Sequence, residues 1–171
     1  MMILAEIGEV GIHAGADCYK LRPSLYAISQ LGSPEEIVRL YARMMGAHPS
    51  ITDALHVINC CAEDDVSHIF GHLDPGTLQF VPGLAQPEHA IHIARALLRH
   101  GVTGVLPPLG DGAPKDGDYT DRFVAREHVA VAMAHLGASS RDAWQMTMTE
   151  LVGAMRAKYP PPPELDAKGK P

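Results

Sequence analysis

The stretch SSRDAWQMTMTELVGAMRAKY, residues 139–159, decides the fold class, because it spells out a helix start, an apolar stripe and a stop. Thr147 and Glu150 have the spacing of a reciprocal capping box, in which the hydroxyl and the carboxylate accept from the orphan amides of a helix N-terminus. Beyond that cap Met148, Leu151, Val152 and Met155 recur at three- and four-residue intervals, so they share one stripe. Trp144 stands one turn upstream on a short preceding segment, and Pro160, Pro161, Pro162 and Pro163 end the helix. The segment holds caps and packing residues but no nucleophile, paired carboxylates or ligand cluster. It is written for docking.

Working outward, the same grammar recurs. Ser33, Pro34 and Glu36 form a second capping box with proline at the first helical position, where its missing N–H costs nothing. Ile37, Leu40, Tyr41, Met44 and Met45 follow as its stripe, and Gly46 stops it. Ser50 opens another helix with Ile51, Ala54, Leu55, Ile58, Cys61 and Ala62 on one side; only AHP separates the two, which predicts an antiparallel helix hairpin. A helix over 86–99 turns Ile91, Ala94, Leu97 and Leu98 inward, carries Arg95 and Arg99 at the end that favours positive charge, and stops at Gly101. The helix over 121–136 is almost purely apolar across 129–133, which predicts that its later turns lie in the core. Residues 2–21 alternate like two strands joined at Gly15 and Asp17, a hairpin, and Pro23 and Ser24 open a short helix that closes at Gly32. VSHIFGH fits either a helical turn or a strand, and LQFVPG a short strand. The glycine- and proline-rich stretch 102–119 reads as a loop, and 160–171 as an extended or disordered tail. The expectation is a mainly α protein: one domain over 1–159, a compact bundle of about five to six helices with a short N-terminal β-hairpin.

Composition removes several classes of function. With 46% apolar residues, 20% charged residues and a formal charge of -6, the chain lacks the basic excess that grips a phosphate backbone, so nucleic acid is not expected as a partner. Cys18, Cys60 and Cys61 are odd in number, with two adjacent, which suits a reducing compartment better than a disulfide framework. The opening MMILAEIGEVGIHAG has no basic leader, and Glu6 and Glu9 break its apolar run. No stretch approaches the roughly 20 apolar residues of a membrane span. A cytoplasmic protein is expected.

Ten histidines raise the question of a metal. Cys60, Cys61, His68 and His72 make the best set, but adjacent cysteines diverge on a helix, and Glu63, Asp64 and Asp65 intervene. His89 with His92, and His128 with His135, lack a third ligand, and His135 reads as a hydrogen-bonded core histidine. Asp111, Asp116 and Asp118 do not have calcium-loop spacing. No nucleophile elbow, phosphate loop, zinc-protease helix or dinucleotide fingerprint occurs. Neither a cofactor nor an enzymatic centre is expected.

Four segments together carry a family resemblance. YKLRPSLYAISQLGSPEEIVRLYARM, residues 19–44, resembles the opening of tail assembly chaperone-like proteins of long-tailed bacteriophages and prophages. DRFVAREHVAVAMAHLGASSRDAWQMTMTELVGAMRAKYP resembles the C-terminal portion of the same group, and VINCCAEDDVSHIFGHL and ARALLRHGVTG resemble its middle. The resemblance implies a non-enzymatic protein of the host cytoplasm that binds the phage tape-measure protein, and with it tail-tube subunits, during tail assembly. Such a partner is a long amphipathic helix, which calls for a groove. That groove is expected against the terminal helix and the glycine- and proline-rich loop 102–119, with Trp144, Met148, Leu151 and Met155 as anchors; replacing Met148 and Leu151 by aspartate should then block binding without unfolding the domain. The alternatives are a structural subunit of the phage tail or neck and a small metal-dependent enzyme using His68 and His72.

Overall fold

Local caps set most of the helices. The computed structural model describes residues 1–107 and 120–162. Ser24 accepts from the Ala27 amide to start α1 (Leu25–Ser29), and Ser33 and Glu36 close their capping box at the head of α2 (Pro34–Met45). Ser50 starts α3 (Ile51–Cys61), Pro87 occupies the first turn of α5 (Pro87–Leu98), and Ser139 caps α7 (Ser140–Gln145). Thr147 and Glu150 form the second box at α8 (Met148–Lys158). With α4 (Ser67–Phe70) and α6 (Ala125–Leu136) the described residues hold eight helices, five of them of 11 or 12 residues, where five to six were expected. The fold is mainly α.

The N-terminal hairpin is shorter than its alternation suggested. Strands β1 (Val10–Ala14) and β2 (Asp17–Leu21) pair antiparallel, Val10 with Leu21 and Ala14 with Asp17. Gly15 takes φ +65 at the first turn position, which a mirror-image hairpin turn requires. Residues 2–9 are not a strand. The Leu4 amide donates to Glu9 Oε2 at 2.8 Å and the Glu9 amide to the Leu4 carbonyl at 3.2 Å, so the chain folds into a 3-10 turn at Ala5–Ile7. A second, minimal hairpin joins β3 (His72–Leu73) to β4 (Phe80–Val81), resolving VSHIFGH into α4 followed by a strand.

At the centre α3 lies along α5. Ala54, Ala90 and Ala94 are fully buried and small enough to let the helices approach, while Val57, Ile58, Leu97 and Leu98 fill the volume beside them. The expected α2–α3 hairpin is only partly realised, since α3 gives its main face to α5; the Arg43–Asp53 ion pair at 2.9 Å bridges it to α2. Arg95 explains why α2 also leans on α5. Its guanidinium donates to the Met44 and Gly46 carbonyls at 2.7 and 2.8 Å, capping the C-terminus of a neighbouring helix instead of complementing its own.

Gly101 does not end the helix before it. A π turn, Arg99–Thr103, continues from α5, and Gly101 is buried where a Cβ would stand 2.6 Å from Ile28 Cδ1; the stop is Gly104 at φ +77. His100 in this turn meets Thr149 Oγ1 at 2.8 Å and closes over Gly8, whose φ is +97. A Cβ on Gly8 would lie 2.3 Å from that of His100. Gly8→Ala therefore combines left-handed backbone strain with a collision and should cost about 2–3 kcal/mol in urea unfolding; a change below about 0.5 kcal/mol would contradict this packing.

The later turns of α6 are only partly in the core. Ala125, Val129 and Ala132 are its buried residues, Met133 is 44% exposed, and His135 stands at the surface with Nδ1 3.0 Å from the Tyr159 hydroxyl. Apolar residues run round the helix, so small side chains take the inner face and a methionine the outer. The loop expected over 102–119 and the tail over 160–171 lie largely outside the described residues, as do Asp111, Asp116 and Asp118.

Candidate docking face

Trp144 sits on a helix held at three points. Ser139 Oγ accepts from the Asp142 amide at 3.1 Å and donates to its carboxylate at 2.6 Å, Arg22 Nε donates to the Gln145 carbonyl at 2.9 Å, and the Leu25 amide donates to the Met146 carbonyl at 2.8 Å. Ala143 points into the core with no exposure, and the neighbouring Trp144 is partly buried against that core. Tyr26, 54% exposed, meets the indole edge-on with centroids 6.4 Å apart and planes at 86°. This geometry suits aromatic quadrupoles.

Two clefts flank the indole. One, of about 170 Å³, runs between Trp144, Pro34, Phe123 and Arg126; the other, of about 260 Å³, between Trp144, Arg126, Val129, Ala130 and Met133. Trp144 and Arg126 line both, so they form the ridge between them. The result is a face of two aromatics, an exposed methionine and one flanking guanidinium on α1, α6 and α7. Such a face can receive apolar knobs on either side of the indole.

Of the residues predicted to anchor a partner, only Trp144 lies on this face. Met148 is 6% and Leu151 3% exposed, both among the chain's own core side chains, and Met155 is half-buried and lines neither cleft. Tyr26, Arg126, Ala130 and Met133 escaped the sequence reading. Met133 belongs to the apolar run 129–133 that the sequence places in the core, yet it is 44% exposed.

The candidate metal residues are apart in function. Cys61 is buried, which pushes its thiol up from the ordinary value, and Cys60 faces His56 instead. The His68 ring packs edge-on to Tyr19 at 5.3 Å, and His72 is on β3. His128 tilts against Phe123 at 4.9 Å, and burial lowers its pKa. Among the described residues no three histidine, cysteine or acidic side chains are grouped to hold an ion, and no helix is long and apolar enough to cross a membrane.

A protein-family model, the family of unknown function DUF6246, matches residues 47–170. The chain belongs to this family. The matched span begins in the linker before α3 and includes Arg126, Met133 and Trp144, whereas the hairpin, α1 with Tyr26, and α2 precede it. No curated protein and no solved structure matches the chain.

Proposed function

We propose that this protein is a polypeptide-binding assembly factor of the phage tail assembly chaperone type, acting in the host cytoplasm, and that it holds an amphipathic helix of the tape-measure protein on the Tyr26–Trp144–Met133 face. The observation that carries the reading is the ridge of Trp144 and Arg126 between two clefts, one mainly apolar and one of mixed lining that includes Met133 and Ser140. Successive apolar residues of a helix, spaced at i and i+3 or i+4, need two adjacent recesses with a rigid divider. Tryptophan and arginine are the side chains that most often dominate such contacts. Support also comes from the resemblance of residues 19–44 and of the C-terminal segment to that chaperone group.

The test is co-expression with a tape-measure fragment that is insoluble alone. The wild-type chain keeps the fragment in the soluble fraction. Met133→Glu, at a position 44% exposed, changes stability by less than about 1 kcal/mol yet abolishes the rescue. Trp144→Ala weakens fragment binding by at least about 2 kcal/mol, roughly thirtyfold. Undiminished rescue by both variants would remove this face from the function, and a fixed copy number of the protein in purified virions would favour a tail subunit instead.

A further inference from the structure

A different region sets a thiol beside an imidazole that itself lines a charged cleft. On α3, Cys60 Sγ lies 4.0 Å from His56 Nδ1, and His56 Nε2 lies 2.9 Å from the Leu31 carbonyl. A carbonyl only accepts, so Nε2 carries a proton and the ring is pinned with Nδ1 toward the sulfur. His56 also lines a cleft of about 340 Å³ between α2 and α3, together with Arg39, Arg43, Asp53 and Glu36. Arg43 is tied to Asp53 and Glu36 to the Ser33 amide, whereas Arg39 has no ion pair among the described residues. Glu36 keeps its own negative charge, so the two arginines and two carboxylates balance and the excess positive charge of the cleft is that of protonated His56, with Arg39 the guanidinium outside any ion pair among the described residues.

We infer that Cys60 is a reactive thiol that forms a mixed disulfide with small anionic disulfides, His56 activating the sulfur and Arg39 drawing the anion to the cleft. The sulfur attacks as a thiolate facing the imidazolium N–H. One sulfur of the reagent bonds to Cys60, the reagent's S–S bond breaks, and the departing thiolate takes up a solvent proton, so no further oxidant enters. The contact with the Cys60 sulfur first, then the Leu31 carbonyl and the Asp53 charge, outweigh burial and raise the His56 pKa to about 9, which favours the protonated ring beside the sulfur.

The chain contains its own control. Cys18 is half-buried like Cys60 and has an imidazole at a similar distance, His13 Nε2 at 3.9 Å, but that ring has no second hydrogen bond among the described residues and lines an apolar groove of Ile12, Phe70 and Leu84. Imidazole contact alone would make the two thiols alike; a pinned ring beside a cationic cleft would not. The experiment treats the full chain at about pH 7 with the dianionic aromatic disulfide dithiobis(nitrobenzoate) and with neutral dithiodipyridine, assigning each labelled cysteine by peptide mass. Cys60 should react with the anionic reagent about tenfold faster than Cys18. His56→Gln should remove that advantage for both reagents, and Arg39→Glu for the anionic one alone. Equal rates at Cys18 and Cys60 in the unmodified chain would overturn the inference without recourse to any variant, as would an unchanged Cys60 rate in folded His56→Gln.

Discussion

Replacing Met148 and Leu151 together by aspartate should abolish the cooperative unfolding transition of this protein. Both side chains lie on the inner side of α8, at 6% and 3% exposure, directly after the Thr147–Glu150 cap. Truncating a buried leucine or methionine costs about 2–5 kcal/mol. Each aspartate adds the desolvation of an unpaired carboxylate, several kcal/mol more. Two such changes exceed the roughly 5–15 kcal/mol by which a domain is stable. Circular dichroism should show no sigmoidal melt, and proteolysis should be rapid. This reverses the expectation drawn from the stripe alone, that the double variant would lose binding and keep its fold. A folded variant with a melting temperature close to that of the unmodified chain would show that α8 presents this stripe outward, and the docking face would then have to be moved from Trp144 to α8.

The difference arises from what a helical period encodes. Caps are local: Ser33 with Glu36 and Thr147 with Glu150 lie three residues apart, and both boxes form at the places their spacing marks. A stripe says that one side of a helix will be covered, but not by what. In α8 the covering comes from the chain itself, through the π turn after α5 and through α6. In α6 the period fails altogether, because alanines and valines surround the helix and only its neighbours decide that Ala132 faces in and Met133 out. Trp144 was legible as the only tryptophan on a short capped segment, whereas Tyr26 reaches it from α1, more than a hundred positions earlier in the chain.

The same distance in sequence hides the polar clasp on which the ends of the molecule depend, and Arg22→Ala should be the most damaging single substitution outside the apolar core. The Arg22 guanidinium donates in three directions, to Glu9 Oε1 at 2.6 Å, to Glu150 Oε2 at 2.8 Å and to the Gln145 carbonyl at 2.9 Å. It thereby ties the N-terminal turn, the end of β2, the end of α7 and the cap of α8 into one unit. Glu9 is 5% exposed, so removing the guanidinium strands a buried carboxylate, with Lys20 at 3.9 Å as a weak substitute. Breaking such a pair costs about 3–5 kcal/mol, and Arg22→Lys should recover little, because a single ammonium cannot serve three acceptors set in a fork. Acid should mimic the loss. Burial pushes the Glu9 carboxyl up, but the Leu4 amide, Arg22 and Lys20 outweigh it and hold the pKa below the ordinary 4.5. A depressed folded value means that this stabilisation is complete above about pH 4.5 and is lost as the pH falls through the lower folded value. Urea titrations of the unmodified chain at about pH 7 and about pH 3 should therefore differ more than those of Glu9→Gln, in which the titrating group is absent. If Arg22→Ala changes the unfolding free energy by less than about 1 kcal/mol, the clasp is a surface ornament and the two ends of the chain are joined by apolar packing alone.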